Sequence, residues 1–351
     1  MSVAVDGLDL ACEKNLHSLT PSFHQKDPIQ HLRTLCHQEI EGLDHTIQHH
    51  LEQRVPLIGA ITQHLIKAGG KRLRSLLALS CCFLFDQKPT QKMIDLAASI
   101  EFIHNATLLH DDVVDESPLR RGIPTANTLW GNKASILVGD FLFAKSFELM
   151  LGENEEKVLP ILAKVCQTIT EGEVLQLSYL HTFDVSVDVL VHIMESKTAA
   201  LFAAACSVGA ALYHRPNAEQ KALYQFGHFL GLAFQVVDDV LDYMGSTDTL
   251  GKAVGDDLRE GKVTLPLLLL HQSLSQPEKQ ELQAILQRYA AEEKDFASVV
   301  EWMNTFHIGK RCLEKAQQFC DRAKESLEIF DDSPTKDALI NLVDSLLSRA
   351  T

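Results

Sequence analysis

The stretch LLHDDVVDESPLRRG, residues 108–122, places Asp111, Asp112 and Asp115 at the end of an apolar helical run, with Arg120 and Arg121 directly after them. Successive helical residues rotate by about 100°, so Asp111 and Asp115 fall one turn apart on one face with Asp112 beside them. Like charges at that spacing destabilise a helix, so a cation is needed to compensate them. Carboxylate oxygens suit magnesium, a hard ion that takes one or two carboxylates and completes its shell with waters and phosphates. The spacing recurs in FQVVDDVLDYMGS, where Asp238, Asp239 and Asp242 follow the apolar run FLGLAF. One acidic triplet has an ordinary reading as a solvated helix face. Two, each embedded in apolar sequence, point to a polymetal site that binds a diphosphate.

Around these clusters the chain has 351 residues, 46% of them hydrophobic, enough for one large core or two ordinary ones. The formal net charge of -15 argues against a general nucleic-acid role, which needs a basic face. It also repels anionic substrates, so positive charge has to be concentrated locally. The eight cysteines, Cys81 and Cys82 adjacent among them, show neither a disulfide framework nor zinc spacing, and a reducing cytoplasm is the expected compartment. Residues 1–28 read as a loosely ordered tail without a secretory signal or an Arg-rich transit peptide, and residues 29–351 as one domain. No uninterrupted apolar stretch reaches the length needed to cross a bilayer.

The local positive charge is found at GGKRLRSLL, residues 69–77, where Lys71, Arg72 and Arg74 precede an apolar run. The spacing is not that of a P-loop, but a loop entering a helix N-terminus with three cations in four residues suits an anion. A basic surface turn is the competing reading of this segment alone, and the need for cations to hold a substrate bridged to the aspartates favours the anion site. Further on, Glu101 and His104 form an E-x-x-H pair. Di-iron bundles use two such pairs plus further glutamates, and no second pair is present. His104 lies two turns before Asp111, where it could donate to a phosphate; a satisfied, partly buried histidine is the competing reading. His45 and His49, spaced i, i+4 among polar residues, read as a solvated face. After Asp242, GSTDTLGKAVGDDLREGKVTLP carries Lys252 and Lys262; it is too polar for core and too long for a simple turn, which suggests a lid. Apolar periodicity predicts one helix from Ile29 to about Leu51. Thr90, Ser186 and an Asn217/Gln220 capping box are the expected helix starts, and the helix after Ser186 is expected to end near Ser196, Lys197 and Thr198. No alternating strand pattern persists, and the expected class is all-α.

In this order, GGKRLRSLL, EFIHNATLLHDDVVDESPLRRG, GEVLQL, SKTAALF, FQVVDDVLDY and GKAVGDDLREGKVTLPLL resemble the trans-isoprenyl diphosphate synthase family, and most its long-chain bacterial members. A lone DDxxD would also fit a class I terpene synthase, but those enzymes usually lack the GGKR element and carry a different second metal motif. The resemblance implies a single large helical bundle around a deep central cavity (the isoprenoid synthase fold), working as a homodimer. Its substrates would be isopentenyl diphosphate and an allylic diphosphate, farnesyl or geranyl, with three magnesium ions. Asp111, Asp115 and Asp238, with Asp239 and Asp242, would serve the metals. Arg120, Lys197, Lys252 and Lys262 would neutralise the leaving diphosphate. Lys71, Arg74, His104 and Arg121 would bind isopentenyl diphosphate, while Thr198 and Gln235 would stand near the developing carbocation.

Product length follows, by the same resemblance, from side-chain volume. Short-chain members block the growth tunnel with an aromatic residue four or five positions before the first Asp, where this chain has Ala106 and Thr107. The implied product is long, of octaprenyl class and destined for a quinone side chain, with loose membrane association at product release. Phe147 and Met150 are candidate floor residues. A short-chain synthase and a non-catalytic subunit of a heteromeric synthase are the alternatives.

Overall fold

The computed structural model describes residues 27–51, 55–67, 69–151, 155–245, 254–288 and 293–348. The expected tail therefore lies outside the described residues up to position 26. Helix α1 (Pro28–Leu35) begins with Asp27, whose carboxylate accepts from the Ile29 amide at 3.1 Å, and with Pro28 in the first turn, where a missing N–H costs nothing. The single helix expected over 29–51 is broken at Cys36 and continues as α2 (His37–Leu51). Then come α3 (Pro56–Lys67), α4 (Leu73–Ser80) with a short 3-10 turn at Cys81–Phe85, and α5 (Gln91–Val114). A hairpin of two-residue strands, β1 (Leu119–Arg120) and β2 (Ile123–Pro124), leads into α6 (Ala126–Trp130), α7 (Asn132–Met150) and α8 (Glu155–Leu177). The second half holds α9 (Val187–Met194), α10 (Ala200–Leu212), α11 (Asn217–Met244) and the short α12 (Asp256–Arg259). It closes with α13 (Leu265–Ser273), α14 (Gln276–Leu286), α15 (Glu293–Thr305), α16 (Ile308–Ser326) and α17 (Pro334–Leu347).

Helix α10 is the axis of the bundle, because every one of its thirteen residues is buried. Its sequence, ALFAAACSVGAAL, is apolar all round, as a helix enclosed on every side must be. Together with α9, Val187–Leu212 is long and apolar enough to cross a bilayer, which the sequence reading did not anticipate; 67% of its most apolar window is buried in the protein, so it is accounted for as core. Helix α11 packs on α10 with almost no clearance. A Cβ on Gly227 would sit 2.4 Å from the Phe202 carbonyl oxygen, and one on Gly231 would sit 2.6 Å from the Ala199 Cα. Two further long helices, α5 and α7, pack on each other and complete the frame.

Helix ends depart from expectation in three places. Thr90 stands before α5 but makes no side-chain cap; its Oγ accepts from the Tyr213 hydroxyl at 3.2 Å. Asn217 is not a cap either, since Pro216 holds that position and Gln220 donates to the Arg215 carbonyl instead. Ser186 does cap α9, accepting from the Val189 amide, but that helix runs on past Lys197 through one π-helical turn, Glu195–Ala199, into α10. The seven cysteines among the described residues are free, and burial pushes the thiols of Cys36 and Cys312 up to about 12, so they stay protonated and inert.

Candidate active site

Helices α5 and α11 deliver the two acidic clusters to one side of the bundle. Asp115 lines the larger cleft and Asp111, one helical turn earlier on the same face, the smaller cavity that adjoins it. Burial, with Glu173 next in weight, raises the Asp111 carboxyl to about 7. Asp112 points the other way. It is 1% exposed, lines neither cavity, and accepts from Arg120 Nε at 2.8 Å and Nη2 at 2.7 Å. Its expected place among the catalytic groups is thus replaced by a charge-assisted pair that aims Arg120. On α11, Asp238 lines both cavities and Asp239 the smaller one. Asp242 lines neither: it is 1% exposed, and its carboxylate accepts from the Asp257 amide at 3.1 Å. Asp242 therefore pins the turn at 255–257 instead of facing the cleft as a metal ligand.

Opposite the carboxylates, the GGKRLR segment and the β-hairpin build a cationic wall. Arg121 and Gly122 occupy the two turn positions with φ of 53° and 77°, the left-handed pair of a type I′ hairpin. That turn lays the Arg121 guanidinium over Gly70, where a Cβ would meet Nη1 at 2.9 Å. Arg72, itself at φ 45°, pairs with Asp44, and Arg33 donates to the Lys71 carbonyl at 3.0 Å. Arg74 donates from Nη1 to His104 Nε2 at 3.2 Å and lies over the Phe202 ring at 4.4 Å. Burial, followed by Arg74, Arg120 and Arg121, drives the His104 pKa well below its ordinary value, so the ring is neutral. Glu101, a residue that sequence reasoning weighed only as a metal ligand, lies beneath this wall at 8% exposure and accepts from Ser75 Oγ at 3.1 Å, beside Arg72, Arg74 and Arg121. The E-x-x-H pair serves arginines, which removes the di-iron alternative.

A third wall comes from α8 and the π-helical turn. Gly172 lets them touch, since a Cβ there would lie 2.5 Å from the Ser196 Cβ. The wider π turn sets Lys197 and Thr198 into the cleft, and such single turns often mark functional sites. Lys197 pairs with Glu173 at 2.7 Å and also donates to Gln176. Lys262 bridges Asp115 at 2.8 Å and Glu260 at 2.7 Å. Burial opposes its charge, yet Asp115, Glu260 and Asp257 outweigh that and raise its pKa. The two lysines expected to meet a diphosphate thus also bind the carboxylates around it. Lys252 lies outside the described residues. Of the expected lid, the described part from residue 254 is anchored: Leu258 is fully buried, and Gly255, at φ 88°, lies against Phe296. Glu173, Gln176, Asp257 and Glu260 were not singled out from sequence, although GEVLQL and GDDLREGK contain them.

These walls enclose a cleft of about 1010 Å³ joined to an inner cavity of about 280 Å³, with Arg74, His104, Arg120, Asp238 and Lys262 common to both. Among the described residues no three His, Cys, Asp or Glu side chains converge as a ready-made metal cage. The donors are nonetheless all carboxylates, brought together from α5 and α11. That set fits a hard cation which shares its shell with phosphate oxygens, and does not fit a thiolate or imidazole metal. Thr107 lines the inner cavity, whereas Ala106 is fully buried in packed core and lines neither cavity. Phe147 does not form a floor, being 38% exposed on the outside of α7; Met150 is fully buried at the end of that helix, away from both cavities.

A bundle with two facing aspartate helices and a cationic wall defines the isoprenoid synthase fold, and comparison with known proteins agrees. The family model for polyprenyl synthetase matches residues 55–303. The octaprenyl diphosphate synthase of Escherichia coli (strain K12) is 38% identical over 326 residues, covering 92% of this chain and 99% of that protein. A polyprenyl synthase from Caulobacter crescentus CB15, solved with calcium and isoprenyl diphosphate, superposes with a TM-score of 0.88 at 43% identity, over 92% of this chain and 98% of that one. A decaprenyl diphosphate synthase from Rhodobacter capsulatus follows with a TM-score of 0.87 at 38% identity, over 92% and 100% of the two chains. The chain belongs to the polyprenyl synthetase family and is a trans-prenyltransferase.

Proposed function

We propose that this enzyme adds successive isopentenyl diphosphate units to farnesyl or geranyl diphosphate and releases a long all-trans polyprenyl diphosphate, of octaprenyl class, for a quinone side chain. The carrying observation is the shared wall: Arg74, His104, Arg120, Asp238 and Lys262 border both the outer cleft and the inner cavity, so two anionic substrates can lie head to head. Lys71, Arg74, Arg121 and neutral His104 hold the isopentenyl diphosphate. Arg120, Lys197 and Lys262 face the allylic diphosphate and stabilise the charge it gains as its C–O bond breaks and the electron pair leaves with it. Asp111, Asp115 and Asp238 would hold magnesium, which would supply further positive charge to that leaving group. The isopentenyl double bond then attacks the allylic carbon, and the proton lost in forming the new double bond passes to the departed diphosphate. Thr198 and Gln235 present oxygen dipoles to the positive carbon without capturing it.

A second copy of the chain completes the assembly. Helices α7 and α8, with Leu151 just past the end of α7, expose Ile136, Leu137, Leu151, Val174 and Leu177, at 41 to 67% exposure, beside an open groove lined by Phe143, Cys166 and Thr170. Apolar exposure on that scale fits a homodimer interface. The site of action is the cytoplasm, with loose membrane association as the product leaves. Purified protein incubated with magnesium, labelled isopentenyl diphosphate and farnesyl diphosphate, followed by chromatographic sizing of the dephosphorylated products, tests the reading. A ladder ending near octaprenol is expected. A single short product would overturn the chain-length reading and keep the chemistry; no incorporation with any primer would overturn both.

A further inference from the structure

Asp239 belongs to the second aspartate cluster, yet its carboxylate is spoken for. Gln235, one turn earlier on α11, donates from Nε2 to Asp239 Oδ1 at 2.7 Å. The other end of the same amide accepts: Thr198 Oγ donates to Gln235 Oε1 at 2.6 Å. The three side chains form one directed chain from the π-helical turn to the buried face of α11, and all three line the inner cavity. Direction is the important property. A primary amide has a donor end and an acceptor end, and only its partners decide which way it lies. An acceptor at position 239 draws the NH2 group toward itself, so the carbonyl oxygen turns to Thr198. The single hydroxyl proton of Thr198 then goes to that carbonyl, leaving the oxygen lone pairs for the cavity. Reversed, the amide would turn its NH2 toward Thr198, and the hydroxyl proton would be free to point at the reacting carbon.

We infer that Asp239 is a positioning residue, whose task is to orient the Gln235 amide so that Thr198 offers lone pairs, and no proton, to the carbocation. Asp238, which borders both cavities, is then the metal-facing member of the pair. The inference rests on the reading of the inner cavity as the place of allylic ionisation, and it separates Asp239 from the ligand role that its motif position suggests. Asp239 is 4% exposed, and burial, with Asp257, Asp238 and Asp242 nearby, pushes its carboxyl well above the usual carboxylate range. Its Oδ1 accepts from Gln235 Nε2 whether or not the other oxygen carries a proton, and an uncharged side chain there relieves repulsion.

Asp239→Asn keeps an oxygen that can accept from Gln235; Asp239→Leu keeps none. For Asn we expect kcat within about threefold of wild type, and for Leu a loss of about thirtyfold or more, with KM for both diphosphates unchanged. In a Gln235→Leu background, Asp239→Leu should cost nothing further, because the two act as one unit. Calorimetric titration with magnesium and inorganic pyrophosphate, which forms no cation, should give the same affinity in wild type and both variants. Weakened pyrophosphate binding or a raised magnesium requirement in Asp239→Asn would overturn the inference and restore a ligand role, as would additive losses in the double variant. Wild-type enzyme that forms no product would overturn the reading of the cavity itself.

Discussion

Asp111 and Asp112 are neighbours with the same side chain, and the structure gives them opposite tasks. Asp111 faces the inner cavity; Asp112 is buried against Arg120. Asp111→Ala should therefore abolish turnover, to below about a thousandth of wild type, with little change in melting temperature. Asp112→Ala leaves the Arg120 guanidinium without its partner and should lower stability by about 1–3 kcal/mol as well as activity, which thermal unfolding beside a turnover assay separates. His104 makes a third prediction, in which pH is the variable. Its folded pKa lies well below the ordinary 6.5, because burial and three arginines disfavour the charged ring. The unfolded chain thus binds the proton first as pH falls. The contribution of His104 to stability is complete above about 6.5 and is eroded as pH drops toward the depressed folded value. Between pH 7 and pH 5.5 the melting temperature of wild type should fall further than that of His104→Gln; equal slopes would count against a neutral buried ring.

Elements bring these residues together by close approach, and small side chains set the spacing. Gly172 is the contact between α8 and the π-helical turn that carries Lys197 and Thr198. Gly172→Ala forces the two apart, so a loss of about 1–3 kcal/mol in stability is expected together with reduced kcat, read by chemical denaturation and initial rates. On α5, Thr107 lines the inner cavity while Ala106 is packed away from it. Thr107→Phe should therefore shorten the product toward farnesyl or geranylgeranyl length, whereas Ala106→Phe should chiefly overpack the core. Product chromatography and melting curves on the two variants distinguish these outcomes. Helix existence was legible along most of the chain, because apolar periodicity is local. The caps at Thr90 and Asn217 were not, since Tyr213 and Arg215 engage Thr90 and Gln220, and only Tyr213 comes from a distant part of the chain. Nor was the continuation of α9 through Lys197, where one π turn carries the helix past its expected end.

At the scale of the whole molecule, a protein of net charge -15 meets the two diphosphates of the proposed reaction by concentrating cations around one cleft, from the loop before α4, the hairpin after α5 and the wall that carries Lys197 and Lys262. Assembly is the matching prediction. Leu137, at 67% exposure on α7, is the most exposed large apolar side chain among the described residues. If the proposed homodimer forms through this face, Leu137→Glu should leave the monomer fold within about 0.5 kcal/mol of wild type and shift the sedimentation coefficient to that of a monomer. An unchanged sedimentation coefficient would place the interface elsewhere.

Spacing along one helix sufficed to find both acidic clusters and the all-α class, because residues three and four apart on a helix are neighbours whatever surrounds them. Which carboxylate of each cluster reaches the cleft could not be read that way: side-chain direction depends on what the helix packs against, here Arg120 for Asp112 and the 255–257 turn for Asp242. The same holds for Glu101 beneath the arginines, for Phe147 on the outer surface, and for the Thr198, Gln235 and Asp239 chain. Each is a contact or an exposure set by where separate helices cross, and residues distant in the chain acquire a mutual distance only when the bundle closes around α10.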